Sequence, residues 1–308
     1  MIVRETPNLL RLFLEIRGSV IRRIYPRVLI VMFMSAVVVW AHTHHPNLIP
    51  LVDGAPFYLI GLTLSIFLGF RNNACYDRWW EGRKLWGHLF AYSRDLARQT
   101  KLLLQYGDQA AKDRDRLIRL NIVLVEDLVR HLRYGDRLGE NVETLLSKDE
   151  RLALLKSFNA PNYIIQLMGD CLAGMSAKGY ITDIEFGILD RTICQMNEVI
   201  AGCERLRNTP VPYGYTLLLH RTAYLFCFLL PFGLANMLGP ITPFAAGVIA
   251  YTFFGLDALG DELEMPFGTR PNALPIAAIS KSIEITLREA LGEENLPEMP
   301  VPVKSILL

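Results

Sequence analysis

Three imidazoles fall within four residues at His42-Thr-His44-His45, a density of ligand atoms that a transition-metal site uses. They stand in a segment between two apolar runs and read as a polar loop at the level of lipid headgroups, so no metal is expected. His220-Arg221 opens another apolar run and reads as an interface anchor, not as an acid–base pair. The five cysteines, Cys75, Cys171, Cys194, Cys203 and Cys227, are scattered with no CxxC spacing, the pattern of reduced thiols in a cytoplasmic portion. No GxGxxG or GxxxxGK[ST] phosphate loop occurs, and no HExxH or GxSxG. Nothing points to a catalytic residue, a cofactor or an enzyme.

What remains is a spacing. In Gly61-Leu-Thr-Leu-Ser-Ile-Phe-Leu-Gly-Phe70, residues Leu62, Ile66 and Phe70 recur at i, i+4 and i+8. On a helix they share one face about 12 Å long. Gly61, Ser65 and Gly69 form a neighbouring stripe of small side chains, the kind that lets membrane helices approach closely. Packed around an axis, such a helix turns its bulky stripe inward and lines a pore. Packed otherwise, the stripe faces lipid or a neighbouring span, and periodicity does not choose between the two.

The elements that must carry this stripe are visible in the charge distribution. The 308 residues have a mean hydropathy of +0.25 and are 51% hydrophobic, which excludes a disordered chain. Lys and Arg total 32 against 31 Asp and Glu, a net charge of +1 that gives no case for nucleic acid. Segments 28–70 and 222–269 contain only five charged residues, Asp53, Asp257, Asp261, Glu262 and Glu264. Such sorting divides the chain into lipid-facing and water-facing parts.

Four apolar runs, 28–40, 56–70, 222–238 and 243–256, predict four membrane spans in two hairpins, each extended by flanking residues to reach bilayer thickness. The hairpin loops, 41–55 and 235–242, lack Lys and Arg. Basic residues stand outside them: Arg22, Arg23 and Arg27, then Arg71, Arg78, Arg83 and Lys84, then Arg205, Arg207 and Arg221. Basic flanks stay inside, so both termini and the middle segment are expected to be cytoplasmic. The first 27 residues, with Arg4, Glu5, Arg11, Glu15 and Arg17, do not read as a cleavable signal.

Between the hairpins, 74–105 reads as a long amphipathic helix with Trp79, Trp86 and Phe90 on one stripe. Segments 110–133, 148–158, 161–178 and 181–206 show helical periodicity, as does 274–291. Breaks fall at Gly107, Gly135, Asn159-Ala-Pro and Gly179, and the end, with Pro297, Pro300 and Pro302, is extended. The expected fold is an all-α membrane protein, two transmembrane hairpins plus a large cytosolic helical body. Its expected domains are an N-terminal segment 1–27, a first hairpin 28–70, a cytosolic domain 71–216, a second hairpin 217–260, and a helix with an extended tail over 261–308.

Three stretches carry a resemblance. Phe67-Leu-Gly-Phe-Arg-Asn-Asn-Ala-Cys-Tyr-Asp-Arg-Trp-Trp-Glu-Gly-Arg-Lys-Leu-Trp-Gly87 resembles the signature of bacterial bestrophin homologues. Thr209-Pro-Val-Pro-Tyr-Gly-Tyr-Thr216 and Met265-Pro-Phe-Gly268 are similar to the family's other two landmarks, and the likeness runs from about residue 17 to 291. It implies a bestrophin-like homopentameric ion channel in the inner membrane, with four spans per subunit and a helical cytosolic body around a vestibule. Its expected partners are copies of itself, the lipid bilayer and small monovalent ions.

Carried over by position, the narrow neck corresponds to Leu62, Ile66 and Phe70. Animal members place Phe at both of the last two, and here Ile66 departs, so cation selectivity stays open beside the family's anion conduction. The cytosolic aperture corresponds to Ile184, which periodicity would put in a core stripe with Ile181 and Ile188. Animal members hold Ca²⁺ with a run of acids after the third landmark. Here Thr269-Arg-Pro-Asn272 follows, and Arg270 puts a cation where carboxylate oxygens are needed, so no calcium gating is expected. Asp261, Glu262 and Glu264 read as a solvated helix end. The rival reading is a membrane scaffold or receptor whose cytosolic helices bind a partner.

Overall fold

The computed structural model of the chain describes residues 1–2, 18–45, 53–135, 137–303 and 305–307. Among these are ten α-helices, and extended pairing is limited to the isolated bridges Ile2–Ile306 and Val303–Ile306. The expectations for residues 3–17 and 46–52, most of the charged N-terminal segment and the middle of the first outer loop, lie outside the described residues.

Helix α1 is Ile21–His44 and α2 is Ala55–Gln99. Asp53 Oδ1 accepts from the Ala55 N–H at 3.1 Å, and Pro56 sits in the first turn where its missing donor costs nothing. No helix breaker follows for 45 residues, so the apolar run 56–70 and the amphipathic segment beyond it are one rod, roughly 68 Å long. A 3₁₀ stretch, Thr100–Tyr106, ends at Gly107, whose φ of +88° suits glycine.

Then come α3 (Asp108–Leu132), α4 (Glu140–Leu145), α5 (Lys148–Lys156), α6 (Ala160–Ala177) and α7 (Asp183–Asn208). Capping boxes start α5 (Ser147 with Glu150) and α7 (Thr182 with Glu185), and the Asn159 side chain caps α6. Finally α8 (Tyr213–Leu238) and α9 (Thr242–Leu263) are joined by the 3₁₀ turn Gly239–Ile241, and α10 is Ile276–Leu291.

The chain divides into two compact units. One comprises Arg4–Trp79 and Pro210–Pro266, and so holds α1, the first part of α2, α8 and α9. Its core is apolar: Ile24 and Val31 from α1, Leu64 and Leu68 from α2, Phe226 and Leu230 from α8, Ala250 and Phe254 from α9. Its outer surface is apolar too, with Leu29, Phe33, Trp40, Leu225, Phe244 and Val248 exposed. By length and composition, Ile21–His44 and the stretch Tyr213–Leu263 suffice to cross a membrane.

The other unit comprises Met1–Val3, Trp80–Thr209 and Phe267–Leu308. At its centre, α3 buries Leu117, Ile118, Leu120, Ile122, Val123, Leu124, Val125 and Leu128, so this helix is covered nearly all round. It packs against α6, α7 and α10, which bury Met168, Met196 and Ile283 among others. All five cysteines are free thiols.

Two readings of chemistry-bearing residues need correction. His42 and His44 lie in the last turn of α1, not in a loop: the His44 ring stacks on Trp40 at 5.2 Å, with Nδ1 3.0 Å from the Trp40 carbonyl. No group of three possible metal ligands converges among the described residues. Asp261, Glu262 and Glu264 do not form a solvated helix end; Glu262 is only 9% exposed, and the other two join a buried ion-pair network.

Candidate ion-conducting helix face

Helix α2 has two sides in its first part. Leu64, Leu68, Arg71 and Cys75 are buried at +4, +3, +4 spacing, the seam by which the helix packs on its neighbours. Leu62, Ile66 and Phe70 lie off that seam and are 53%, 50% and 61% exposed. Three bulky apolar side chains therefore share one uncovered face of a single helix. Of the small-residue stripe, only Gly61 is pressed by a neighbour: a Cβ there would stand 3.0 Å from the Phe226 ring, while one at Gly69 would meet nothing within 4 Å. The Ser65 hydroxyl donates to the Gly61 carbonyl of its own helix.

Immediately after Phe70 the seam holds a charge. The Arg71 side chain is fully buried, and the sequence reading had it as a basic flank. Its Nη1 donates to Asp257 Oδ1 at 2.8 Å and its Nη2 to Asp261 Oδ1 at 2.6 Å, with Glu264 at 3.6 Å. The other oxygen of Asp261 accepts from Arg23 on α1 at 2.5 Å, and the other oxygen of Asp257 lies 2.7 Å from His220 Nδ1 on α8.

One guanidinium thus ties α2 to α9, and through the two aspartates to α1 and α8, so all four helices meet at this node. A Cβ at Gly260 would stand 3.3 Å from Arg71 Cζ and 2.8 Å from Asn72 Oδ1, so a side chain there would push against the guanidinium and the Asn72 amide. A charge this deep is tolerable because opposite charges surround it, and leaving it unpaired would be costly. His220 is accordingly hydrogen-bonded to Asp257 at this node, where the sequence alone reads an interface anchor.

Ile184 belongs to the other unit. It is the second residue of α7 and 77% exposed, and Ile188 is 49% exposed, whereas Ile181 is buried. The core stripe expected of these three is absent because Ile181 precedes the helix and so does not share its phase. The capping box beside Ile184 fixes the helix start, and the Thr182 N–H and hydroxyl hold the Glu185 carboxyl below its usual range.

The sequence profile of the Bacterial/Fungal Bestrophin protein family matches residues 1–289. The chain belongs to the bestrophin family. Members of this family are ion channels, not enzymes, and the helical fold described above is theirs. This bestrophin is similar to the voltage-dependent anion channel-forming protein YneE of Salmonella typhi, 40% identical over 304 residues that cover 99% of this chain and 98% of that one.

It is also similar to a voltage-dependent anion channel-forming protein of Mesorhizobium japonicum, 42% identical over 300 residues, 97% of this chain and 95% of the relative. A crystal structure of a bacterial bestrophin homologue from Klebsiella pneumoniae superimposes with a TM-score of 0.83 at 37% identity. It covers 88% of this chain and all of that one. Membrane residence follows from this kinship together with the apolar outer surface of the first unit.

The Arg71 node is what the sequence reading missed. A signal was there: Arg71 falls in the +4, +3 phase of Leu64, Leu68 and Cys75, and Asp257 and Asp261 are one helical turn apart in an otherwise apolar run. A charge in the phase of a buried seam asks for a partner of opposite sign.

Proposed function

We propose that this bestrophin is the subunit of a homopentameric channel of the bacterial inner membrane that lets small monovalent anions pass down their gradient. Near-full-length identity of about 40% to relatives called anion channel-forming carries this reading. In the ring, Leu62, Ile66 and Phe70 of five subunits face the axis as the neck, and Ile184 forms a second aperture. Both termini and the helical body lie on the cytoplasmic side. Half-exposed apolar side chains on the neck face support this, since a protomer alone gives them no cover.

A tube of such side chains offers a hydrated ion no hydrogen bonds, so passage is limited by dehydration and dewetting rather than by a binding site. The domain limits follow the same scheme: an N-terminal segment 1–27, hairpins 28–70 and 217–260, a cytosolic domain 71–216 and a C-terminal part 261–308. Arg270 in place of an acid leaves gating independent of calcium, so flux is unchanged by a chelator.

Purified protein in planar bilayers under KCl and NaCl gradients tests the function. The expected current reverses near the chloride equilibrium potential in both salts. Reversal near the cation potential would replace anion by cation conduction, and absence of any current would favour the scaffold reading.

A further inference from the structure

The helical body contains a cavity of about 590 Å³ between the end of α3, the turn after it and α10. That volume is within the range of small-molecule sites. Four cationic side chains line it, Arg130, Arg133, Arg137 and Lys281, against two carboxylates, Glu126 and Glu284. Both carboxylates are already engaged. Glu126 accepts from the Val142 N–H at 3.1 Å and from Asn141 Nδ2 at 3.3 Å, and Glu284 accepts from Lys281 at 2.7 Å and from Arg288 at 2.9 Å. They offer no pocket for a cation.

The arginines are not equally served. Arg130 Nε donates to Asp127 at 2.6 Å. Among the described residues Arg133 has the Phe267 carbonyl at 3.2 Å as its one hydrogen-bond partner, and its buried Nη2 has none. Burial lowers the pKa of Arg133, and no carboxylate opposes that shift. Arg137 is exposed and has no carboxylate partner among the described residues. Among the described residues, then, neither guanidinium has a carboxylate partner, and for the part-buried Arg133 a bound anion would supply one.

Tyr134, with a φ of +52°, follows the Arg133 cap of α3 in a left-handed helix stop, closed by the Gly135 N–H donating to the Arg130 carbonyl at 2.9 Å, so Arg133 lies before the bend and Arg137 after it. Across the cavity, a Cβ at Gly139 would stand 2.2 Å from the Glu126 carboxyl carbon, so a side chain there would displace that carboxylate.

We propose that this cavity is a binding site for a small phosphate-bearing anion, held by Arg133 and Arg137 with Arg130 and Lys281 alongside. The planar guanidinium fork matches the oxygens of phosphate, and the cavity takes ligands from inorganic phosphate up to a sugar phosphate.

The test is calorimetric titration of the full-length protein in detergent with inorganic phosphate, then with glycerol 3-phosphate, at constant ionic strength set with chloride. Saturable binding that sulfate competes away and chloride does not is expected. Arg137→Gln, an exposed change that leaves folding intact, should weaken it about tenfold or more, as should Arg133→Gln, while Lys101→Gln on the exposed surface of the same unit should not. Absence of saturable binding in the wild type, or equal loss in Lys101→Gln, would overturn the site. Binding is read without ion flux, so the outcome is independent of the channel reading.

Discussion

At the residue scale, burial separates side chains that look alike in sequence. Leu64 and Ile66 are both apolar and two positions apart, yet Leu64 is 3% exposed and Ile66 50%. Leu64→Ala removes packed core and should cost about 2–5 kcal/mol, seen as a marked drop in the thermal midpoint of the detergent-solubilised protein. Ile66→Ala should change that midpoint little, because surface truncations typically cost about 0.5 kcal/mol or less. Equal losses would place Ile66 in the core and remove it from the neck.

Arg71 makes the complementary case. Arg71→Met leaves Asp257, Asp261 and Glu264 facing one another without their shared guanidinium and should destabilise by about 3–5 kcal/mol, the usual cost of breaking a buried pair from one side. Replacing Asp257 by Leu in the same protein should recover part of that loss. A thermal midpoint unchanged by Arg71→Met would show that the node does not hold the four helices together.

At the element scale, most helix ends were legible because their signals are local. Gly107, Gly179 and Gly292 stop helices with positive φ, and Thr182-x-x-Glu185 starts one. The continuity of α2 was less so, because hydropathy falls at Arg71 while helix propensity does not, and a change of solvent is not a break in the backbone. Short α4 escaped notice, being six residues long with no periodic stripe. Partners were the least legible: the sequence shows Arg71, His220 and the pair Asp257 and Asp261 as separate polar residues on three helices, and only the packed helices show one cluster.

The helical body has a pH dependence of its own. Burial lowers the pKa of His131 on α3, against the opposing pull of Glu204 on α7, 3.0 Å away. A depressed folded value means that stability is fully present above the unfolded value near 6.5 and is lost as pH falls through the folded value. The thermal midpoint of the wild type should therefore fall between pH 7.5 and pH 5.5, and His131→Gln should flatten that slope. A wild-type midpoint that rises on acidification would reverse the sign assigned to this residue.

At the scale of the whole molecule, a protomer with apolar side chains exposed along several helices is complete only in company. Lipid covers such a surface at any position, whereas a pore needs a closed ring around one axis. Native mass spectrometry in mild detergent should give five chains, and a stable monomer or dimer would leave the neck face of α2 without an axis to line.

The central claim is that the ion path runs along Leu62, Ile66 and Phe70, and thiol modification tests it most directly. Ile66→Cys channels in a bilayer should lose current when a charged, membrane-impermeant thiol reagent is added, while the wild type, with its five native cysteines, and Leu64→Cys should keep theirs. Current in Ile66→Cys that persists with reagent on both sides, or that is lost equally in Leu64→Cys, would contradict the account.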